Sequence, residues 1–144
     1  HQDTPGPGEA AQAANAKWVG YNDDMSRFAP QAWLTAPMWD WGPFYIKTVQ
    51  DVMAGTWKSE QYYGNMKDGL VKLAPVSSSV PADIKAQMDD AQKKIISGEF
   101  APFTGPITKQ DGSVAYAAGA KASLDDLLKM DYFVKGVNGN AKGQ

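Results

Sequence analysis

Two short, wholly apolar runs constrain this fold more than anything else in the chain. "WVGY", Trp18 to Tyr21, gives way to the polar, turn-like "NDDMSRFAPQ". "AWLTAP", Ala32 to Pro37, gives way to a turn built on Trp39, Asp40 and Trp41. A strand with one face in water alternates apolar and polar residues, whereas a strand covered on both faces reads apolar throughout. Helical segments flank the two runs, and the combination predicts an α/β layer with a buried parallel sheet.

The first helical segment is the Ala-rich Glu9 to Lys17, with Pro5 and Pro7 at its entrance, where proline is tolerated. A second runs from about Gly42 to Gly55. It carries Tyr45, Val49, Val52 and Met53 on one face, and glycine is a natural stop. The third and clearest lies in "SVPADIKAQMDDAQKKIISGEF", with Pro81 and Asp83 at its start and Gly98 at its end. "YYGNMKDGLVKLAPV" reads as short extended pieces broken by glycines. Asp111-Gly112 predicts a hairpin turn, and Ser123 with Asp126 a capping box. "YFVKGV" is expected to be a last short strand, Phe100 and Phe103 packing anchors, and residues 138–144 a flexible tail.

The charge balance excludes several classes of function. A net charge of −2 with scattered lysines leaves no electrostatic footprint for nucleic acid or a polybasic membrane contact. The chain has no cysteine, so disulfides, thiolate metal sites and a cysteine nucleophile are excluded. One histidine without a second, and without cysteine, does not make a transition-metal site, and no cofactor is expected. No apolar run reaches the length of a membrane span. There is no plausible nucleophile–base pair and no G-x-G-x-x-G or Walker loop. Asp23 and Asp24 are adjacent rather than set across a cleft as glycoside hydrolysis requires. An enzyme is therefore not expected. The chain opens at "HQDTPGPGEA" without an initiator Met, and a fragment or processed product is expected. "HQDTPGP" has the character of a loop that leaves a strand and enters a helix, so a strand is expected to precede it.

Ligands of open α/β sheets bind outside the C-terminal ends of the strands. Three loops have that character, and they could meet at one sheet edge: His1 to Thr4, Asn22 to Asp24 and Trp39 to Trp41. The candidate ligand-binding residues are His1, Asp3, Asn22, Asp24, Trp39 and Trp41. Each has a plainer alternative. His1 is terminal and open to solvation. Asn22 and Asp24 could satisfy their own turn. The two tryptophans point the same way if the backbone is extended, either under the following helix or as a ligand wall. At least one is expected to be a wall, Trp39 first. Asp40 between them suits a helix N-cap.

"VGYNDDMSRFAPQAWLTAPMWDWGPFYIKTVQDVMAGTW", "MKDGLVKLAP", "GEFAPFTGPI" followed by "DGSV", and "LLKMDYFVKGV" resemble the basic membrane protein family of ABC-importer solute-binding proteins, which includes purine-nucleoside-binding lipoproteins. The resemblance runs from His1 to about Val137. It implies a type I periplasmic-binding-protein fold, two α/β lobes around a ligand cleft. This chain would be the C-terminal part, with residues 1–137 mostly the second lobe. The N-terminal lobe and the signal and lipidation region would lie outside it. The implied location is periplasmic or a cell-surface lipoprotein, and the implied partners are a purine-like small molecule, ABC permease subunits and the missing lobe. Nucleoside-binding members have an acidic, ribose-gripping residue where this chain has Asn22, and tend to have a lysine where it has Trp39. Both departures imply a flatter, less polar ligand such as a purine base, with nucleosides also open. The alternative is a protein-interaction or sensor module without a transport role.

Overall fold

The computed structural model describes residues 3–141. They form α1 (Gly6–Ala13), β1 (Trp18–Val19), β2 (Trp33–Thr35), β3 (Pro37–Trp39), α2 (Gly42–Ala54), β4 (Val71–Leu73), α3 (Ala82–Ser97), β5 (Ile107–Thr108), β6 (Val114–Tyr116) and α4 (Leu124–Leu128). The chain divides into two compact units, one through Ile96 and one from Ser97 onward.

In the first unit, β1 pairs with β2 in parallel, Trp18 opposite Trp33. A further parallel bridge joins Asn22 to Met38. Only Ala36 separates β2 from β3. The interruption falls beside Pro37, whose nitrogen has no hydrogen to donate, and proline is tolerated at the first position of a strand. β3 runs antiparallel to β4, Met38 opposite Lys72. Ala74 N–H to Ala36 O and Asp40 N–H to Leu70 O extend that ladder at both ends. Two two-stranded sheets thus adjoin along this central segment, β1–β2 parallel and β3–β4 antiparallel. The second apolar run extends two residues past its expected end, so Trp39 closes a strand rather than sitting in a turn.

The core of this unit is small. Ala29, Ala32, Trp33, Ala36, Leu70 and Ala74 are buried. Trp33 meets Trp18 edge to face, ring centroids 5.4 Å apart. Thr35 is buried too, and its hydroxyl donates to Ala74 O at 2.8 Å, which offsets the desolvation of that group. α1 seats on Trp18 through Gly8, where a Cβ would lie 2.2 Å from the indole carbons; only glycine permits that approach.

α2 and α3 form where helical spacing places them, and Gly55 ends α2 in the left-handed region (φ 71°). The cover expected over the apolar face of α2 is not supplied. Val49 and Val52 are 57% and 59% exposed, Met53 83%. Periodicity decides which face is apolar, but another layer must bury it, and no other described helix or strand packs extensively on α2. Phe28 is exposed as well.

In the second unit the hairpin forms around Gly112, with β5 antiparallel to β6. The Ser123–Asp126 capping box starts α4: the Ser123 hydroxyl accepts from Asp126 N–H, and the Asp126 carboxylate accepts from Ser123 N–H. "YFVKGV" does not become a full strand. It contributes one bridge, Val134 to Lys109, flanked by Gln110 N–H to Phe133 O and Lys135 N–H to Thr108 O. Phe100 and Phe103 stay exposed instead of anchoring a core, because the short elements of this unit cover little area. The Gln110 side-chain amide holds the start of the tail, donating to Val137 O and Gly139 O.

Candidate ligand-binding site

Asn22 follows the first apolar run, held beside Met38 by its bridge, and Trp39 ends β3. Asp3 lies on the approach to α1. Three separate stretches of sequence therefore reach one edge of the sheet, where two hydrogen bonds join them. The Trp39 indole N–H donates to Asn22 Oδ1 at 2.5 Å. Asn22 Nδ2 donates to Asp3 Oδ1 at 2.6 Å. Asn22 takes a left-handed backbone conformation, φ 69°, which asparagine tolerates better than other residues with a Cβ. Tyr21 stands edge-on to the Trp39 ring, 6.2 Å between centroids at 86°. Asp3 is exposed, while Asn22 and Trp39 are half-buried, so the set forms an accessible surface.

The other sequence candidates are placed apart from this set. His1 lies outside the described residues. Asp24 turns back on its own loop, where Oδ1 accepts from Ser26 N–H at 3.0 Å. The two tryptophans do not share one wall. The period of two ends at Asp40, because Trp41 is already helical in backbone (φ −78°, ψ −12°) and is the N-cap of α2. Trp41 joins Phe44, Tyr45 and Tyr62 in an aromatic cluster, with Phe44 and Tyr62 stacked at 4.5 Å.

Asp40 caps from one position earlier than the N-cap itself: its Oδ1 accepts from Gly42 N–H at 3.2 Å. Its other oxygen pairs with Lys72 Nζ at 2.5 Å, across the β3–β4 pairing. The Lys72 ammonium, with the Gly42 N–H adding to it, holds the Asp40 carboxyl below its ordinary value of 3.8. Sequence reasoning does not find Tyr21 or Lys72. Tyr21 had a signal in its place next to Asn22 at the end of an apolar run. Lys72 had none, since it meets Asp40 only through the strand register.

No group of three or more His, Asp or Glu that could hold a metal ion occurs among the described residues. Nor is any described helix long and apolar enough to cross a membrane. Neither of two surface hollows is lined by Asp3, Asn22 or Trp39. One, of about 110 Å³, is bordered by Gln12, Lys17 and Gln31, and the other, of about 190 Å³, by Lys109, Asp131 and Tyr132.

Hydrogen-bonding groups beside a flat ring are gathered here at strand ends of an α/β layer, the place where proteins of the open α/β class take their ligands. The chain belongs to the PnrA-like ABC transporter substrate-binding protein family, whose model matches residues 1–102. It is 44% identical over 138 residues to a purine-binding protein of Brucella abortus, covering 96% of this chain and 39% of that protein. It is 28% identical over 140 residues to a putative ABC transporter glucose-binding protein of Haloferax volcanii, covering 96% of this chain and 33% of that one. Among solved structures it resembles a transcriptional activator of the comK gene from Bacillus halodurans, with a TM-score of 0.58 and 25% identity over 66% of this chain and 34% of that chain. An ABC transporter solute-binding protein from Conexibacter woesei shares the fold, with a TM-score of 0.54 and 23% identity over 69% and 34%. The chain thus spans between a third and two fifths of the length of the relatives it matches.

Proposed function

We propose that this chain is the C-terminal part, mostly the second lobe through Val137, of a type I periplasmic-binding protein that delivers a purine-like heterocycle to an ABC permease outside the cytoplasm. The observation that carries this reading is the Asp3–Asn22–Trp39 hydrogen-bond chain at the strand ends. The indole N–H is spent on Asn22, so Trp39 would serve through its flat face, which suits stacking on a ring. The purine named for the Brucella relative supports the ligand class. A facing lobe would bury the ligand by closing over this surface.

The test is calorimetric titration of the full-length gene product with adenine, hypoxanthine and glucose. A purine is expected to bind, and Trp39→Ala to weaken it about tenfold or more, as loss of a stacking wall would. A preference for glucose, or an unchanged affinity in the Trp39 variant, would overturn the assignment.

A further inference from the structure

Glycine at position 139 is set by the fold. Its φ is 123°, and a Cβ there would stand 3.3 Å from the Phe133 ring. That backbone region disfavours any residue with a side chain. Asn138 comes immediately before it and is exposed. Of the chain's five asparagines, it alone precedes a glycine. Among the described residues, no hydrogen bond engages the Asn138 side-chain amide or the Gly139 N–H. Asn22 and Asn65 hold partners with their side chains, and the N–H that follows Asn15 is bonded to Ala11 O at 2.8 Å.

An asparagine amide can react with the main-chain nitrogen that follows it. The Gly139 nitrogen attacks Asn138 Cγ, and the C–N bond of the side-chain amide breaks. The displaced nitrogen takes the Gly139 N–H proton and leaves as ammonia, and a cyclic imide remains. Water then opens the imide. Attack at Cγ gives ordinary aspartate, whereas attack at the main-chain carbonyl gives isoaspartate, in which Cβ has joined the main chain. The net change consumes one water, releases one ammonia and adds a negative charge. With no Cβ on residue 139, nothing on that residue hinders the approach of its nitrogen.

The Gln110 side chain brackets the reacting pair. Its Nε2 donates to Val137 O at 2.9 Å and to Gly139 O at 3.1 Å, the carbonyls on either side of residue 138. Ring closure requires the backbone of residue 138 to turn until Cγ meets the Gly139 nitrogen, and two hydrogen bonds oppose that turn. In isoaspartate the main chain between the two carbonyls is one atom longer, so the spacing that one amide nitrogen bridges is lost. Ordinary aspartate leaves that spacing unchanged.

We propose that Asn138–Gly139 is a self-modification site: it deamidates through the imide, the Gln110 clamp restrains it, and the isoaspartate product frees the chain from Val137 onward. The experiment incubates the full-length gene product in warm, mildly alkaline buffer and follows each asparagine by peptide mapping with separation of aspartate from isoaspartate. Loss of amide should concentrate at Asn138, with isoaspartate among the products. Gln110→Ala should raise the rate there by about fivefold or more, as removal of the two restraining bonds would. That variant keeps the main-chain bond from Gln110 N–H to Phe133 O. An Asn138 that deamidates no faster than Asn140, which precedes alanine in the same exposed turn, would overturn the inference. So would an unchanged rate in Gln110→Ala.

A second arm reads the clamp by amide hydrogen exchange. The isolated isoaspartate form should exchange faster than the parent over residues 137–141, while Asn138→Asp, whose main chain is unaltered, should exchange like the parent. Equal protection in the isoaspartate form would show that Gln110 still holds the turn, and the inference would fall.

Discussion

Gly8 and Trp39 show how much a single side chain decides here. At Gly8 a methyl group would enter the space of the Trp18 ring, and neither the helix backbone nor a core indole yields cheaply. Gly8→Ala is expected to cost about 1–3 kcal/mol, as overpacking does, measured by urea denaturation. Trp39→Phe keeps an aromatic face but removes the N–H, and leaves the half-buried Asn22 oxygen without its donor. That variant should lose about 1 kcal/mol of stability by the same measurement while retaining part of the stacking surface. The candidate residues of the two strand-end turns were legible from residue type and position. Their division into a joined set (Asn22, Trp39) and separate ones (Asp24, Trp41) was not, because it depends on the left-handed turn at Asn22 and the helical backbone at Trp41.

At the scale of elements, local signals were reliable where the cause is local. Gly55 ends α2 with a positive φ and open space around it, so Gly55→Ala should cost about 1 kcal/mol through backbone strain alone, read from thermal melts. The Asp40–Lys72 pair joins β3 to β4 and predicts a pH dependence. Its carboxyl has a folded pKa below the unfolded value, so the unfolded state binds more protons as acid is added. The stabilisation is present above the ordinary carboxylate value of 3.8 and is lost as the pH falls through the lower folded value. Lys72→Met should therefore weaken the acid dependence of the melting temperature below about pH 4 and leave its shape near pH 7 unchanged. Solvent around both groups keeps the effect small. The sequence pattern called for extended pieces in 62–76, and one strand, β4, forms there. The rest of its first half is a turn in which Asn65 Oδ1 accepts from Lys67 N–H and Asp68 N–H.

For the whole molecule, the telling feature is the apolar surface that the described residues leave open. The face of α2 carries Tyr45, Ile46, Val49, Val52 and Met53, all exposed. A contiguous patch of this kind marks an interaction surface or a liability to associate. The 144-residue chain expressed by itself should bind a hydrophobic dye and self-associate, and Val49→Glu with Val52→Lys should reduce both. A monomer that ignores the dye would show that this face is covered in solution. The family match over residues 1–102 contains the first unit and only the opening of the second.

The sequence by itself determined the α/β class, the positions of α2 and α3, the Gly112 turn and the Ser123 cap, while α1 was expected at Glu9 to Lys17 and forms at Gly6–Ala13. Each rests on residues a few positions apart, through side-chain periodicity, capping chemistry or the freedom of glycine at positive φ. It also confined the candidate site to strand-end loops, because apolar runs that stop at polar turns reveal where strands end. Only the tertiary structure decided which of those loops meet. The pairing of Asn22 with Met38 and of Lys72 with Met38 sets residues far apart in the chain side by side. It makes Asp3, Asn22 and Trp39 one hydrogen-bonded set and sends Trp41 elsewhere. Strand register and packing arise from contacts between distant segments, and no local pattern carries them.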